Sequence, residues 1–230
     1  MGRRIKMKKL PMVYRQSMRS YFIVFGIALA TVFGLQLLSL IFAGSHINLN
    51  INDFIDAFSG QFIAIAFGIY GLFYLVVPYR EFKLGIQNGQ TRWQIWLSDL
   101  LGIVTITLIT FIIWLISVGF QHQDWLTITG MLLLMLDGIT FSYAIGSGFG
   151  LLPRKWKIIV AIVLPTIFIF ILIQIIRLMV NLWHPSEATL NTLANIFNWQ
   201  GSWALFGLLW LAIMLGISYL FTMHQQLRRD

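Results

Sequence analysis

Six apolar runs constrain this chain more than any other feature. They fall at about 21–43, 61–78, 94–119, 126–150, 158–182 and 202–222, and a helix needs about 20 such residues to cross the hydrocarbon core of a bilayer. The composition agrees: 58% of residues are hydrophobic and 10% are charged, whereas soluble domains carry about 25% charge. The fold class is therefore an all-α polytopic membrane protein, with six transmembrane helices in one transmembrane domain over residues 1–230. There are no cysteines, which removes disulfide, iron–sulfur and thiol chemistry.

The formal net charge of +8 suggests nucleic acid until its distribution is read. Arg3, Arg4, Lys6, Lys8, Lys9, Arg15 and Arg19 crowd the first 20 residues, and Arg80, Lys83 and Arg92 lie between spans 2 and 3. Arg154, Lys155 and Lys157 lie between spans 4 and 5, and Arg228 and Arg229 end the chain. The intervening connectors hold no Lys or Arg, and only Arg177 stands apart. Cytoplasmic connectors collect Lys and Arg, so both termini are expected in the cytoplasm, in contact with anionic lipid rather than nucleic acid. The tryptophans fit the same scheme, with Trp93, Trp96 and Trp156 at the inner interface and Trp125, Trp183, Trp199 and Trp203 at the outer one.

Local signals refine the connectors. Residues 1–20 read as a basic amphipathic segment: Tyr14, Met18, Tyr21 and Phe22 share one face, Arg15 and Arg19 another, and Pro11 suits a first helical turn. Phe54, Ile55 and Phe58 suggest a short interfacial helix within 44–60. Leu190, Leu193, Ala194 and Phe197, at i, i+3, i+4 and i+7, suggest a short amphipathic or re-entrant helix within 183–201. Pro78 is expected to end span 2, and Pro165 to kink span 5.

The polar stretch 79–93 is the most structured connector. Arg80, Glu81, Lys83 and Gln87 can face water from a short surface helix. Asn88-Gly89 breaks that helix, because glycine accepts the left-handed conformation cheaply. Thr91-Arg92-Trp93-Gln94 is a capping box that starts span 3. A fixed corner of this kind can transmit force where a floppy loop cannot.

Phe82-Lys83-Leu84-Gly85-Ile86-Gln87-Asn88-Gly89-Gln90-Thr91-Arg92 resembles the signature between spans 2 and 3 of ABC-2 type transporter permeases, common in Gram-positive bacteria. The resemblance implies a bacterial plasma-membrane protein and a cytoplasmic coupling helix that docks on an ATPase subunit. It assigns that coupling to Arg80, Glu81, Phe82, Lys83, Leu84, Ile86, Asn88, Gly89, Thr91 and Arg92. It also implies a second permease subunit, with ATP and Mg bound by the ATPase and no cofactor bound by this chain.

Polar groups inside the spans are the remaining candidates. Asp137 is the one acid at mid-span, which makes it a functional candidate by default; substrate contact, proton coupling and a structural hydrogen bond within the bundle are its three open roles. Asp99, near the inner end of span 3, is expected to reach the interface. Gln174, Arg177 and Asn181 form a polar stripe near the outer end of span 5, where Arg177 can snorkel to headgroups or meet an anionic substrate group. With Asp137 they make up the candidate substrate path. Gly138, Ser142, Gly146 and Gly150 recur every four residues along span 4, the spacing that lets helices approach closely.

Catalytic signatures are missing from the sequence. No lysine precedes Ser or Thr, so there is no P-loop. His46, His122, His184 and His224 are scattered, so no metal site is expected, and Ser147 has no histidine to activate it. The expectation is an ATP-driven export permease rather than an enzyme. The alternatives are an ATP-independent secondary transporter and a non-transporting assembly or immunity factor.

Overall fold

The computed structural model describes residues 10–43, 51–118, 125–182 and 186–226. Among these the chain forms α1 (Leu10–Ala43), α2 (Ile51–Gln87), α3 (Arg92–Val118), α4 (Trp125–Leu151), α5 (Arg154–Leu182), α6 (Glu187–Asn198) and α7 (Gln200–His224), and no strand. All except α6 are long and apolar enough to cross a membrane. The protein is a multi-pass helical membrane protein.

Two connectors expected from the sequence are parts of longer helices. α1 runs from Leu10 into the first span without a break, because no breaker follows Pro11, which sits in the first turn. The basic residues before Leu10 lie outside the described residues. α2 likewise begins at Ile51 and absorbs the segment expected as an interfacial helix. Phe58 there faces inward, 5.2 Å from the Phe33 ring and 6.1 Å from that of Phe62.

A third correction concerns Pro78. It does not end span 2; it lies inside α2, which continues to Gln87. A proline inside a helix removes the amide that would bond the carbonyl four residues earlier, here that of Tyr74. That carbonyl meets Gly146 of α4. A Cβ built on Gly146 would fall far inside contact with the Tyr74 oxygen and stand 3.0 Å from Leu75 Cα. The Gly146 Cα hydrogen in that direction therefore points at the freed oxygen, a weak Cα–H···O contact. Proline survives in the helix because its defect is met by a neighbouring helix, as membrane helices often require.

The core explains why α2 is central. Phe62, Ala66, Tyr70 and Tyr74 repeat every four residues and so share one face of α2. They pack with Tyr21, Ala28 and Val32 of α1, Ile103 and Ile106 of α3, and Ile139 and Tyr143 of α4. α2 contacts α1, α3 and α4; the most extensive pairing is α4 with α7. The small-residue stripe of α4 lies along α2 and its extension. Gly138 faces the Phe67 ring, Ser142 faces Gly71, Gly146 faces Tyr74, and Gly150 faces Tyr79 and the Gln225 side chain.

α5 stands apart. It has no substantial pairing with any other helix among the described residues. Its 155–178 window has the highest mean hydropathy of the six, 3.0, and none of that window is buried. Near its start the Lys157 ammonium lies 5.0 Å from the centre of the Tyr79 ring.

Candidate functional site

The corner between α2 and α3 is built from two interlocking caps. At the end of α2 the Gln90 amide donates to the Gly85 carbonyl (2.9 Å) and the Gly89 amide to that of Ile86 (2.9 Å), a Schellman closure. It needs a left-handed residue, and Gly89 has φ 71°. α3 then opens on the capping box: the Thr91 amide donates to Gln94 Oε1 (3.0 Å), and the Gln94 amide to Thr91 Oγ1 (3.3 Å). Ile95, 2% exposed, folds back onto Gly85, where a Cβ would meet its side chain at 2.5 Å. Both the break and the cap stand where the sequence places them.

Not all of the corner faces water. Arg80, Lys83, Gln87, Asn88, Thr91, Arg92 and Trp93 are exposed, and Leu84 and Ile86 are half-buried. Glu81 (4% exposed) and Phe82 (2%) are buried, against the expectation that Glu81 faces water. The reason is the continuity of α2: carried past Pro78 as one helix, its inner face stays against the bundle. The ten residues assigned to coupling thus divide into an exposed rim and a buried root.

Several helices are tied to that root. The Arg80 guanidinium donates to Ser20 Oγ of α1 at 3.2 Å and lies 3.6 Å from the Glu81 carboxylate. Arg92 donates to the Met223 carbonyl in the last turn of α7, a favoured place for a cation. Trp96 Nε1 donates to Ser218 Oγ of α7 (3.1 Å), and Trp93, Trp96 and Tyr219 form an aromatic cluster beside it. Beyond α7, the Gln225 amide donates to the Ser147 carbonyl of α4 (3.0 Å).

Asp99 is part of this root rather than of the interface. It is buried, and its Oδ2 accepts from the Tyr143 hydroxyl at 2.9 Å. Tyr143 meets Tyr74 edge-on, and Tyr74 lies against Tyr21. Sequence position puts Asp99 near the end of its span; its partner Tyr143 comes from another helix and leaves no local signal.

The second region lies at the end of the bundle away from the corner. There α4 and α7 leave a cleft of about 680 Å³ between their first halves, walled by Leu126, Leu133, Trp203, Phe206 and Trp210, with Asp137 at its inner limit. Asp137 Oδ1 is buried and has no hydrogen-bond partner among the described residues. Gly207 of α7 faces the acid: a Cβ there would stand 3.1 Å from Asp137 Oδ2. Gln174, Arg177 and Asn181 do not join this cleft. They lie on α5, which makes no substantial pairing with α4 or α7 among the described residues, and Arg177 is exposed. The walls contributed by Trp203, Phe206 and Trp210 carry no sequence signal until α4 and α7 are known to be neighbours.

α6 adds an amphipathic helix beside α7, capped by Ser186 Oγ accepting from the Thr189 amide at 3.3 Å. No group of His, Asp and Glu able to hold a metal ion occurs among the described residues. No protein-family model, curated protein or solved structure matches the chain.

Proposed function

We propose that this chain is the membrane-spanning permease subunit of an ATP-driven ABC exporter in a bacterial plasma membrane, with both termini cytoplasmic. The corner carries the reading. Its exposed rim of Arg80, Lys83, Gln87, Asn88 and Arg92 offers a basic and polar docking surface. Its buried root ties α1, α2, α3, α4 and α7 together, so a push on the rim moves the bundle rather than a loop. Separate ATPase subunits bind ATP and Mg and grip the rim, and a second permease subunit completes the transporter. The exported cargo is drawn from peptides, drugs, lipids or polysaccharides.

The test is co-purification of the tagged chain in mild detergent, with P-loop ATPases identified by mass spectrometry. Lys83→Glu and Gln87→Glu change the exposed rim and leave the buried root intact. The expected result is an ATPase held by the native chain and lost from the double variant. Absence of any ATPase, or undiminished capture by the variant, overturns the proposal.

A second reading, an ATP-independent secondary transporter, draws on one observation. Such transporters use several intramembrane ionisable residues, and Asp99 is buried while the mid-span acid Asp137 buries one carboxyl oxygen. Transport by the purified chain alone in liposomes, driven by an ion gradient without ATP, would favour it.

A further inference from the structure

We infer that the cleft between α4 and α7 binds a lipophilic monovalent cation, with the Asp137 carboxylate as its charge partner. The inference deepens the export reading, on which it rests only in naming the bound cation as cargo. The cleft volume of about 680 Å³ falls within the roughly 300–1,000 Å³ of small-molecule sites, which combine apolar walls with a few placed polar groups. Here the walls are leucines and aromatic rings, and the placed group is one acid.

The chain offers that acid little. Asp137 Oδ1 is buried without a hydrogen-bond partner among the described residues. Thr129, also at the cleft, turns its hydroxyl back to the carbonyls of Trp125 (2.9 Å) and Leu126 (3.1 Å). Gly207, packed against Leu133 and Asp137, brings no side chain at all. Arg177, the one cation outside the basic connectors and tails, is on α5, which makes no substantial pairing with either wall. A carboxylate in an apolar surrounding is costly to leave unpaired, so the missing charge is best supplied by the ligand.

The walls then select the rest of that ligand. A hydrated inorganic cation would need a shell of oxygen donors, and the lining is mainly apolar. A cation wrapped in hydrocarbon satisfies both the acid and the walls. Trp203 and Trp210 add faces suited to cation–π attraction. An anion of the same size meets repulsion from Asp137, and a neutral isostere forgoes the charge pairing.

The experiment uses the purified full-length chain in detergent and a pair of probes matched in shape and opposite in charge, tetraphenylphosphonium and tetraphenylborate. Saturable binding is measured by equilibrium dialysis. The native chain is expected to bind the phosphonium saturably and the borate not at all. Asp137→Asn is expected to weaken phosphonium binding at least tenfold, and Asp137→Glu to retain it. Leu126→Trp, which fills the mouth of the cleft from an exposed position without touching the acid, is expected to weaken it as well. Phosphonium binding that is absent from the native chain, unchanged in Asp137→Asn, unchanged in Leu126→Trp, or matched by the borate overturns the inference. Failure of ATPase capture, by contrast, removes the export reading and leaves this binding result standing.

Discussion

Gly146→Ala is the sharpest perturbation of this fold. The added methyl would fall far inside contact with the Tyr74 carbonyl oxygen and stand 3.0 Å from both Leu75 Cα and the Leu75 carbonyl oxygen. Carbon–oxygen contacts settle at about 3.3–3.6 Å, so α2 and α4 must separate by roughly 1 Å. The obstacles are backbone atoms, and no side chain can swing aside. A gap of that size forfeits about a quarter to a half of the dispersion attraction across the affected contacts. Together with ordinary overpacking strain, the substitution is expected to cost about 3 kcal/mol. For a chain of this length that corresponds to a fall in Tm of roughly 6–12 °C, read by fluorescence-detected gel filtration after heating in detergent. Gly68→Ala is the control, since nothing lies within 4 Å of a Cβ there; it should be neutral or slightly stabilising. Pro78→Ala tests the cause. It restores an amide for the Tyr74 carbonyl, so the Gly146→Ala penalty should shrink by about 1 kcal/mol or more in the double variant, a coupling of the size neighbouring residues show. A Gly146→Ala protein within 2 °C of the control would refute the reasoning.

Other outcomes follow from the same geometry. Tyr143→Phe leaves buried Asp99 without that donor and is expected to cost about 1–3 kcal/mol, whereas Tyr143→Phe with Asp99→Leu should recover most of it; thermal melts of the three variants decide. Thr91→Ala breaks the capping box and is expected to cost about 1 kcal/mol, with Thr91→Ser close to native in the same melt. Gly89→Ala forces a side chain into the left-handed region at a cost of about 1–2 kcal/mol, and Gly89→Asn should cost less. Trp96→Phe removes the donor to Ser218 and is expected to cost about 1 kcal/mol, readable as faster proteolysis at the end of α7.

What the sequence discloses about this fold is local, and what it conceals is long-range. The apolar runs locate all six long helices, because a bilayer demands length and hydropathy whatever the packing. Gly89 and the Thr91/Gln94 box are equally legible, since caps close on residues a few positions away. The four-residue stripe from Gly138 to Gly150 shows that α4 has a close neighbour, without saying which. Pro78 misleads because the rule that proline ends a helix assumes an unmet carbonyl, and Gly146, far along the chain, meets it. Asp99 misleads in the same way, since Tyr143 supplies its hydroxyl from another helix. Of the cleft, only Asp137 is visible beforehand; its aromatic walls come from a helix more than sixty residues downstream.

The isolation of α5 bears on how the chain enters a membrane. Mean hydropathy is 3.0 in α5, where none of the window is buried, and 1.6 in α4, where 28% is. A helix that shares little packing with its siblings stays in the bilayer by its own partitioning, which each Ile, Leu and Phe improves by a few tenths of a kcal/mol (~0.3–0.6). A helix carrying Asp137 and a stripe of small residues depends instead on neighbours arriving. α5 should therefore insert autonomously when expressed as a single segment, and α4 only in the company of α2 and α7. Exchanges among Ile, Leu, Val and Phe along α5 should therefore leave the packing within this chain unchanged, and those in α4 should be felt at once.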